Sequence, residues 1–427
     1  MKKLLAVLLS LAMILALAAC GDNTNTTTTA APAENTTAAQ TTQAQTQSAG
    51  TDYANFKIGF IFLHDPASST YDNNFYQAAL EVQKELGLSD DQCIFKWNVP
   101  EGPECQDTAE EMADAGCKIV FADSFGHETY MIEAAKNYPD VQFCHATGTQ
   151  SRTVGVANYH NAFASIYEGR YLAGIAAGMK LAELVKAGAT PKIGYVGAFP
   201  YAEVVSGYTS FFLGVRSIVP DATMEVVYTN SWFDIALEKE AALNLINDGC
   251  VLLSQHADSE GAPKACEEKG VPNVAYNVST INPGPTTALI SSKINWAPYM
   301  EMAIAATMAG ESFDTDWSQG FNEGSVELTE LNGNVAAEGT AEKLEEVIAA
   351  FKAGELHVFD TSTFTVNGMT PEEYVATADY LEDTANGGFN AAVHAIAAQY
   401  VTDGYFHESE FRSAPYFDLP IDGITVD

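Results

Sequence analysis

Residue types able to do chemistry gather in short clusters, each just past an apolar run. After the first run come Ser69, Tyr71, Asp72, Asn74 and Phe75; after a later one Asp123, Ser124 and Phe125; and after another Asn158. Farther along stand Tyr201, then Trp232 with Phe233 and Asp234, then His256 with Asp258, and finally Asn277. This mixture of rings and hydrogen-bonding groups suits a planar heteroaromatic solute. Its faces would stack on aromatic rings, worth ~1 to 3 kcal/mol per nucleobase, and its edges need carboxylate, amide, hydroxyl or imidazole partners at fixed positions. The candidate contacts are Ser69, Tyr71, Asn74, Phe75, Ser124, Phe125 and Asn158 from the first half, and Tyr201, Trp232, His256, Asp258 and Asn277 from the second. Trp232 is the strongest of them, because a Trp just past a strand and followed by Phe and Asp is poorly placed for a core. Asp234 reads equally as a ligand contact and as the N-cap of a helix opening at Ile235.

Catalytic signatures are missing. The chain has no Walker A lysine, no GxGxxG, no GxSxG elbow and no HExxH, since His127 and Glu128 lack a second histidine. A binding role without cofactor or metal is therefore expected. The competing reading is a nucleoside hydrolase using His256, Asp258 or Asp123 as acid and base.

These clusters must be held by elements that the apolar patterning predicts. Strands are expected at Lys57–Leu63, Cys93–Trp97, Lys118–Ala122, Val141–His145 and Thr153–Asn158, with helices at Asn74–Leu86, Gln106–Ala115 and His127–Asn137 between them. A long small-residue helix, Ala162–Lys186, leads to a second set of strands: Lys192–Val196, Thr223–Tyr228, Cys250–Leu253 and Asn273–Tyr276. Helices at Ala202–Ser217, Ile235–Asn247 and Glu260–Lys269 separate these. The expected fold is α/β, with two doubly wound parallel-sheet lobes joined by a hinge, and ligands bind at the carboxyl ends of such strands. The first lobe is expected to comprise residues 53–157 with about 287–312, and the second 158–286 with about 320–354. Residues 355–427 form a tail with one Ala-rich helix near its middle and no evident role.

The N-terminus sets the compartment. Lys2 and Lys3, an apolar stretch from Leu4 to Leu17, and Ala18-Ala19-Cys20 have the order of a lipoprotein signal peptide over residues 1–19, with Cys20 as the lipidated residue. The stretch is shorter than the ~20 residues of a bilayer span. Residues 20–50, rich in Thr, Ala and Gln, read as a flexible tether with a reach of roughly 30 Å. With 56 acidic against 20 basic residues and a net charge of −36, binding to nucleic-acid polymers is close to excluded. The six cysteines after Cys20 have no CxxC or zinc spacing and mostly adjoin strands. They read as buried thiols, with one or two disulfides as the alternative.

Several runs together resemble the basic membrane protein, or PnrA-like, family of bacterial lipoproteins: YEGRYLAGIAAG from Tyr167, KIGYVGAFPYAEVV from Lys192, LGVRS from Leu213, NSWFD from Asn230, SQHADS from Ser254 and FCHATG from Phe143. The resemblance implies the substrate-binding component of an ABC importer. Such a protein is a monomer anchored on the extracytoplasmic face of the cell membrane, offering a purine nucleoside, purine base or flavin to permease and ATPase partners. It further implies that Trp232 is the stacking aromatic of the second lobe and that the Tyr71–Phe75 segment is its counterpart in the first. Asn277 stands where nucleoside-binding members carry an aspartate, and the Gln255–Ser259 run is closer to the free-base branch. A ligand-sensing lipoprotein without a transport role is a further alternative.

Overall fold

The computed structural model describes residues 55–381 and 389–426. The signal peptide, Cys20 and the tether lie outside the described residues. Among the described residues no helix is long and apolar enough to cross a membrane.

The first half alternates as expected: β1 (Lys57–Ile61), α1 (Thr70–Glu85), β2 (Cys93–Lys96), α2 (Pro103–Asp114), β3 (Cys117–Ala122), α3 (Glu128–Asn137), β4 (Gln142–Ala146), the single turn α4 (Ser151–Val154) and β5 (Tyr159–Ala162). The second half continues with α5 (Ile166–Lys186), β6 (Lys192–Gly197), α6 (Ala202–Ile218), β7 (Thr223–Tyr228), α7 (Ile235–Asn247), β8 (Leu253–Gln255), α8 (Gly261–Lys269) and β9 (Asn273–Tyr276). Then follow β10 (Ala288–Ile294), α9 (Ala297–Ala309), β11 (Asp316–Trp317), β12 (Val326–Leu328) and α10 (Thr340–Lys352). The tail holds α11 (Pro371–Val375), α12 (Ala378–Leu381), α13 (Phe389–Tyr400), the hairpin β13 (Val401–Thr402) and β14 (Tyr405–Phe406), and β15 (Ile424–Val426).

Two sheets form, ordered β11-β5-β4-β3-β1-β2 and β12-β10-β9-β8-β6-β7-β15. Every pairing in them is parallel except β10 with β12. Each sheet is covered on both faces. In β1, Ile58 and Phe60 join the core shared with Phe75 and Trp296, while Ile61 faces the opposite core with Met112 and Met131, the period-two alternation of a strand. The lobes therefore share one α/β build, with the strand order reversing between β1 and β3 in the first and between β6 and β8 in the second.

The long helix α5 packs on α6 at glycines. A methyl group on Gly174 would overlap the Phe211 carbonyl oxygen, and one on Gly214 the Tyr171 carbonyl oxygen. The small residues of α5 thus admit backbone contact that larger side chains would block.

Four expectations require correction. Thr153–Asn158 is not a strand. Gly155 at φ +70° ends a helical turn there, and the strand begins at Tyr159 because the Asn158 amide is tied to the carbonyls of Ala135, Tyr138 and Val141. The long helix starts at Ile166 rather than Ala162, since residues 162–165 are extended crossing chain bonded to Trp317 and Gln319. Cys250 caps α7 by donating its N–H to Leu245, which delays β8 to Leu253. Residues 288–294 were expected in the first lobe, but β10 lies in the second sheet, beside β9 and β12. Only the helix after it, α9, returns to the first lobe, where it packs against α1. The chain thus crosses between lobes at 162–166, 294–297 and 317–326. All six described cysteines are free and buried.

Candidate ligand-binding site

Loops from both sheets meet at the points where strand order reverses. Between them lies a narrow slot of about 400 Å³, part of it open to solvent. From the first lobe it is lined by Leu63 and His64 after β1, Tyr71 and Asp72 on α1, Asp123 to Phe125 after β3, and Thr147 after β4. From the second it is lined by Glu203 on α6, Trp232 after β7, His256 and Asp258 after β8, and Tyr276 at the end of β9.

The first-lobe wall is tied to the backbone. Ser69 caps α1, donating to Asp72 at 2.5 Å and accepting its N–H, while the His64 N–H donates to the same carboxylate at 2.8 Å. Burial alone would raise the pKa of Asp72; hydrogen bonds from His64 and Ser69 outweigh it and hold the group below its ordinary value. Asp123 is fully buried. One of its oxygens accepts the Leu63 N–H at 3.1 Å, and its carboxyl is hydrogen-bonded to that of Asp72. Burial and the neighbouring Asp72 raise the pKa of Asp123 well above normal. The Tyr71 hydroxyl donates to the Asp123 carbonyl at 2.9 Å, which fixes its ring at the slot edge.

The second-lobe wall is built around one buried cation. Arg170, 1% exposed on α5, lies 3.6 Å from the centre of the Tyr276 ring and donates to the Gln255 carbonyl at 2.7 Å. Burial lifts Glu203 to about 7, with Arg170 opposing. Burial and then Arg170 push His256 well below its usual value, so the imidazole is neutral and its 3.3 Å contact to Glu203 is a hydrogen bond rather than an ion pair. Burial, and then Glu238, Asp72 and Glu203, raise Asp258 well above the carboxylate range.

Rings and backbone seal the mouth. Phe125 of the first lobe stacks on Tyr201 of the second at 5.3 Å, Tyr201 on Phe199 at 5.2 Å, and His64 meets Phe233 at 5.2 Å. The Thr70 N–H donates to the Asp258 carbonyl at 2.8 Å across the gap.

Of the twelve candidate contacts, Tyr71, Ser124, Phe125, Trp232, His256 and Asp258 line the slot. Tyr201 stands in the ring stack at its mouth. Asn277 lies behind Asp258, to which its amide donates at 3.3 Å, with φ at +71°. The remaining four do not line it. Ser69 is the helix cap, Asn74 donates to the Ile294 carbonyl near a lobe crossing, Phe75 packs edge-on against buried Trp296, and Asn158 ties three carbonyls below the sheet. Asp234 is the N-cap of α7, accepting from Ala236 and Leu237.

Arg170, Glu203, Tyr276 and Thr147 were missed. Glu203 carried a usable signal, being a lone charge within an otherwise apolar stretch; Arg170, with Glu168 two residues before it in a small-residue helix, carried a weaker one. Tyr276 and Thr147, and with them Leu63 and His64, carried only the general signal of a place at or just past a strand end.

The sequence model of a family described as "ABC transporter substrate-binding protein PnrA-like" matches residues 57–354. This chain belongs to that family. It is 31% identical over 340 residues to a purine-binding protein of Brucella abortus, covering 80% of this chain and 92% of the relative. It is also 32% identical over 282 residues to a putative ABC transporter glucose-binding protein of Haloferax volcanii, covering 66% of each. Among solved structures, a solute-binding protein of an Aeropyrum pernix ABC transporter system superposes with a TM-score of 0.60 at 16% identity, over 71% of this chain and 93% of that one. That likeness speaks for the fold. The family makes this chain an ABC transporter substrate-binding protein; its ligand is a separate question, since two relatives of similar identity carry the names of different ligands.

Proposed function

We propose that this ABC substrate-binding protein captures a purine, as free base or nucleoside, by closing its lobes on the base. One observation carries the reading: a narrow slot with rings on both sides, Tyr71 and Phe125 against Trp232, and carboxyl oxygens on its wall from the neighbouring Asp72 and Asp123. A purine presents flat faces for the rings and N–H groups for such an oxygen. A hexose would leave most of that ring surface unused, so the chemistry of the slot favours the ligand class of the Brucella relative over that of the Haloferax one. Because the walls come from different lobes, a ligand touching both shifts the equilibrium toward closure.

The same reading makes the protein a monomer, lipid-anchored through Cys20 outside the cytoplasm, that passes its ligand to a permease and its ATPase. It acts without catalysis. His256, Asp258 and Asp123 do gather at the slot, but His256 is neutral and engaged by Glu203, and the family to which the chain belongs is one of substrate-binding proteins. Native mass spectrometry of protein purified without added ligand should show an adduct of purine mass, and calorimetry on the stripped protein should show purine binding. Inosine, guanosine and adenosine should be returned uncleaved. Absence of binding to any purine base or nucleoside would sink the proposal, and release of free base would favour the hydrolase.

A further inference from the structure

The tail lies outside the family match, yet its described residues, 355–381 and 389–426, are built into the body. Val358, Phe359, Phe364, Tyr416, Phe417 and Leu419 share one core with α5 and α6 of the second lobe, and β15 extends the second sheet by pairing with β7. Its anchoring there is extensive. From this base the segment 408–417 reaches the other lobe.

Ser413, fully buried, donates its N–H to one oxygen of Asp316 at 2.9 Å and its hydroxyl to the other at 2.5 Å. It also accepts from the Asn161 amide at 2.8 Å. Asp316 and Asn161 belong to β11 and β5 of the first sheet, and Arg152 adds an ion pair to Asp316 at 2.9 Å. The chain of contacts continues toward the ligand. The Asn161 side-chain oxygen accepts the Gly148 N–H at 2.5 Å and faces His145 at 3.3 Å, and His145 reaches the Ser124 carbonyl at 2.7 Å. Glu128 accepts the N–H groups of Thr149 and Gln150. Together these hold Thr147, a β-branched residue of the slot wall, at φ +69°. Such a backbone is strained and persists only where its surroundings over-determine it.

From this geometry we infer that Ser413 is a positioning residue for the ligand slot, and that the tail is a clasp fastening the second lobe to the first. It rests on the slot being the binding site. By bonding Asn161 and Asp316, Ser413 fixes the loop that carries Thr147 and, through His145, the Ser124 backbone; by bridging the lobes it favours the closed arrangement before ligand arrives.

The test compares Ser413→Ala and Asp316→Asn with Thr365→Ala, all in the full chain. Thr365 donates to Asp422 at the far side of the tail and does not touch the first lobe. Small-angle scattering without ligand should give a larger radius of gyration for Ser413→Ala and Asp316→Asn, and their affinity for the purine found on the native protein should fall roughly three- to tenfold. Thr365→Ala should lower only the thermal midpoint. Should the two clasp variants keep the wild-type radius and dissociation constant while losing only thermal stability, Ser413 is mere packing and the inference fails. Were the wild type to bind no purine, the scattering comparison would still decide the clasp, while the proposed ligand alone would fall. If Ser413→Ala does not fold, Asp316→Asn, which keeps the side-chain shape, decides the question.

Discussion

The two halves of the slot hold their carboxyls by different means. On the first-lobe side, backbone and hydroxyl donors hold Asp72 ionised at a helix N-terminus, where the dipole also favours negative charge. On the second-lobe side, burial raises the pKa of Glu203 and Asp258 and lowers that of His256, leaving Arg170 as the buried cation. Closure brings these halves together, and Asp72 is itself one of the charges raising Asp258. An ionised Asp72, beside an Asp123 that resists ionisation, thus meets a wall whose carboxyls resist it as well. Closing without a ligand sets carboxyls against one another, and a ligand with edge N–H groups relieves that repulsion, which gives it a differential affinity for the closed state.

This contrast can be broken most severely at Arg170. Replacing it with Met should destabilise the protein by about 3 kcal/mol, the scale of losing a charged hydrogen bond to the Gln255 carbonyl together with a buried cation–π contact on Tyr276, measured by denaturant titration. The loss should appear even without ligand. Next in size, Trp232→Ala should weaken purine binding by about tenfold, or ~1.4 kcal/mol, with little change in thermal midpoint; calorimetry that returned the wild-type constant would remove Trp232 from the site. Asp234→Ala should cost about 1 kcal/mol of stability through the lost cap of α7 and leave affinity unchanged.

The mildest test is pH. Glu203 has a folded pKa of about 7 against an ordinary 4.5, so the fold favours its neutral form. Its favourable contribution is complete below the unfolded value and is lost as pH rises through about 7. Asp123 and Asp258 shift in the same direction. The thermal midpoint of the free protein should therefore fall between pH 5 and 8, and Glu203→Gln should flatten that fall. A midpoint that rose over this range, or a slope unchanged in the variant, would contradict the account of the second wall.

Much of the site was legible, for a definable reason. Strand ends can be read from apolar runs, and in a doubly wound sheet the residues just past them face the cleft, so Ser124, Phe125, Trp232, His256 and Asp258 were found from local pattern alone. Depth along a helix could not be read. With α1 starting at Thr70 rather than Asn74, Asn74 and Phe75 lie one turn deeper than Tyr71, about 5 Å along the axis, and meet Ile294 and Trp296 instead of the slot. The misplacement of β10 had a related cause: an apolar run shows that a strand is buried, but not which of two similar sheets it joins.

What the amino-acid order settled by itself was periodic and local: the alternation of strand and helix, the aromatic and polar character of the strand ends, the leader-like N-terminus and the acidic excess. Tertiary structure alone decided which of those ends converge, that Arg170 lies beneath Tyr276, that Asp72 and Asp258 oppose each other across a gap, and that the tail crosses from one lobe to the other. These pairings join residues up to 252 positions apart, as with Asn161 and Ser413. No short-range pattern encodes such distances, because the energy that selects them comes from packing whole lobes together.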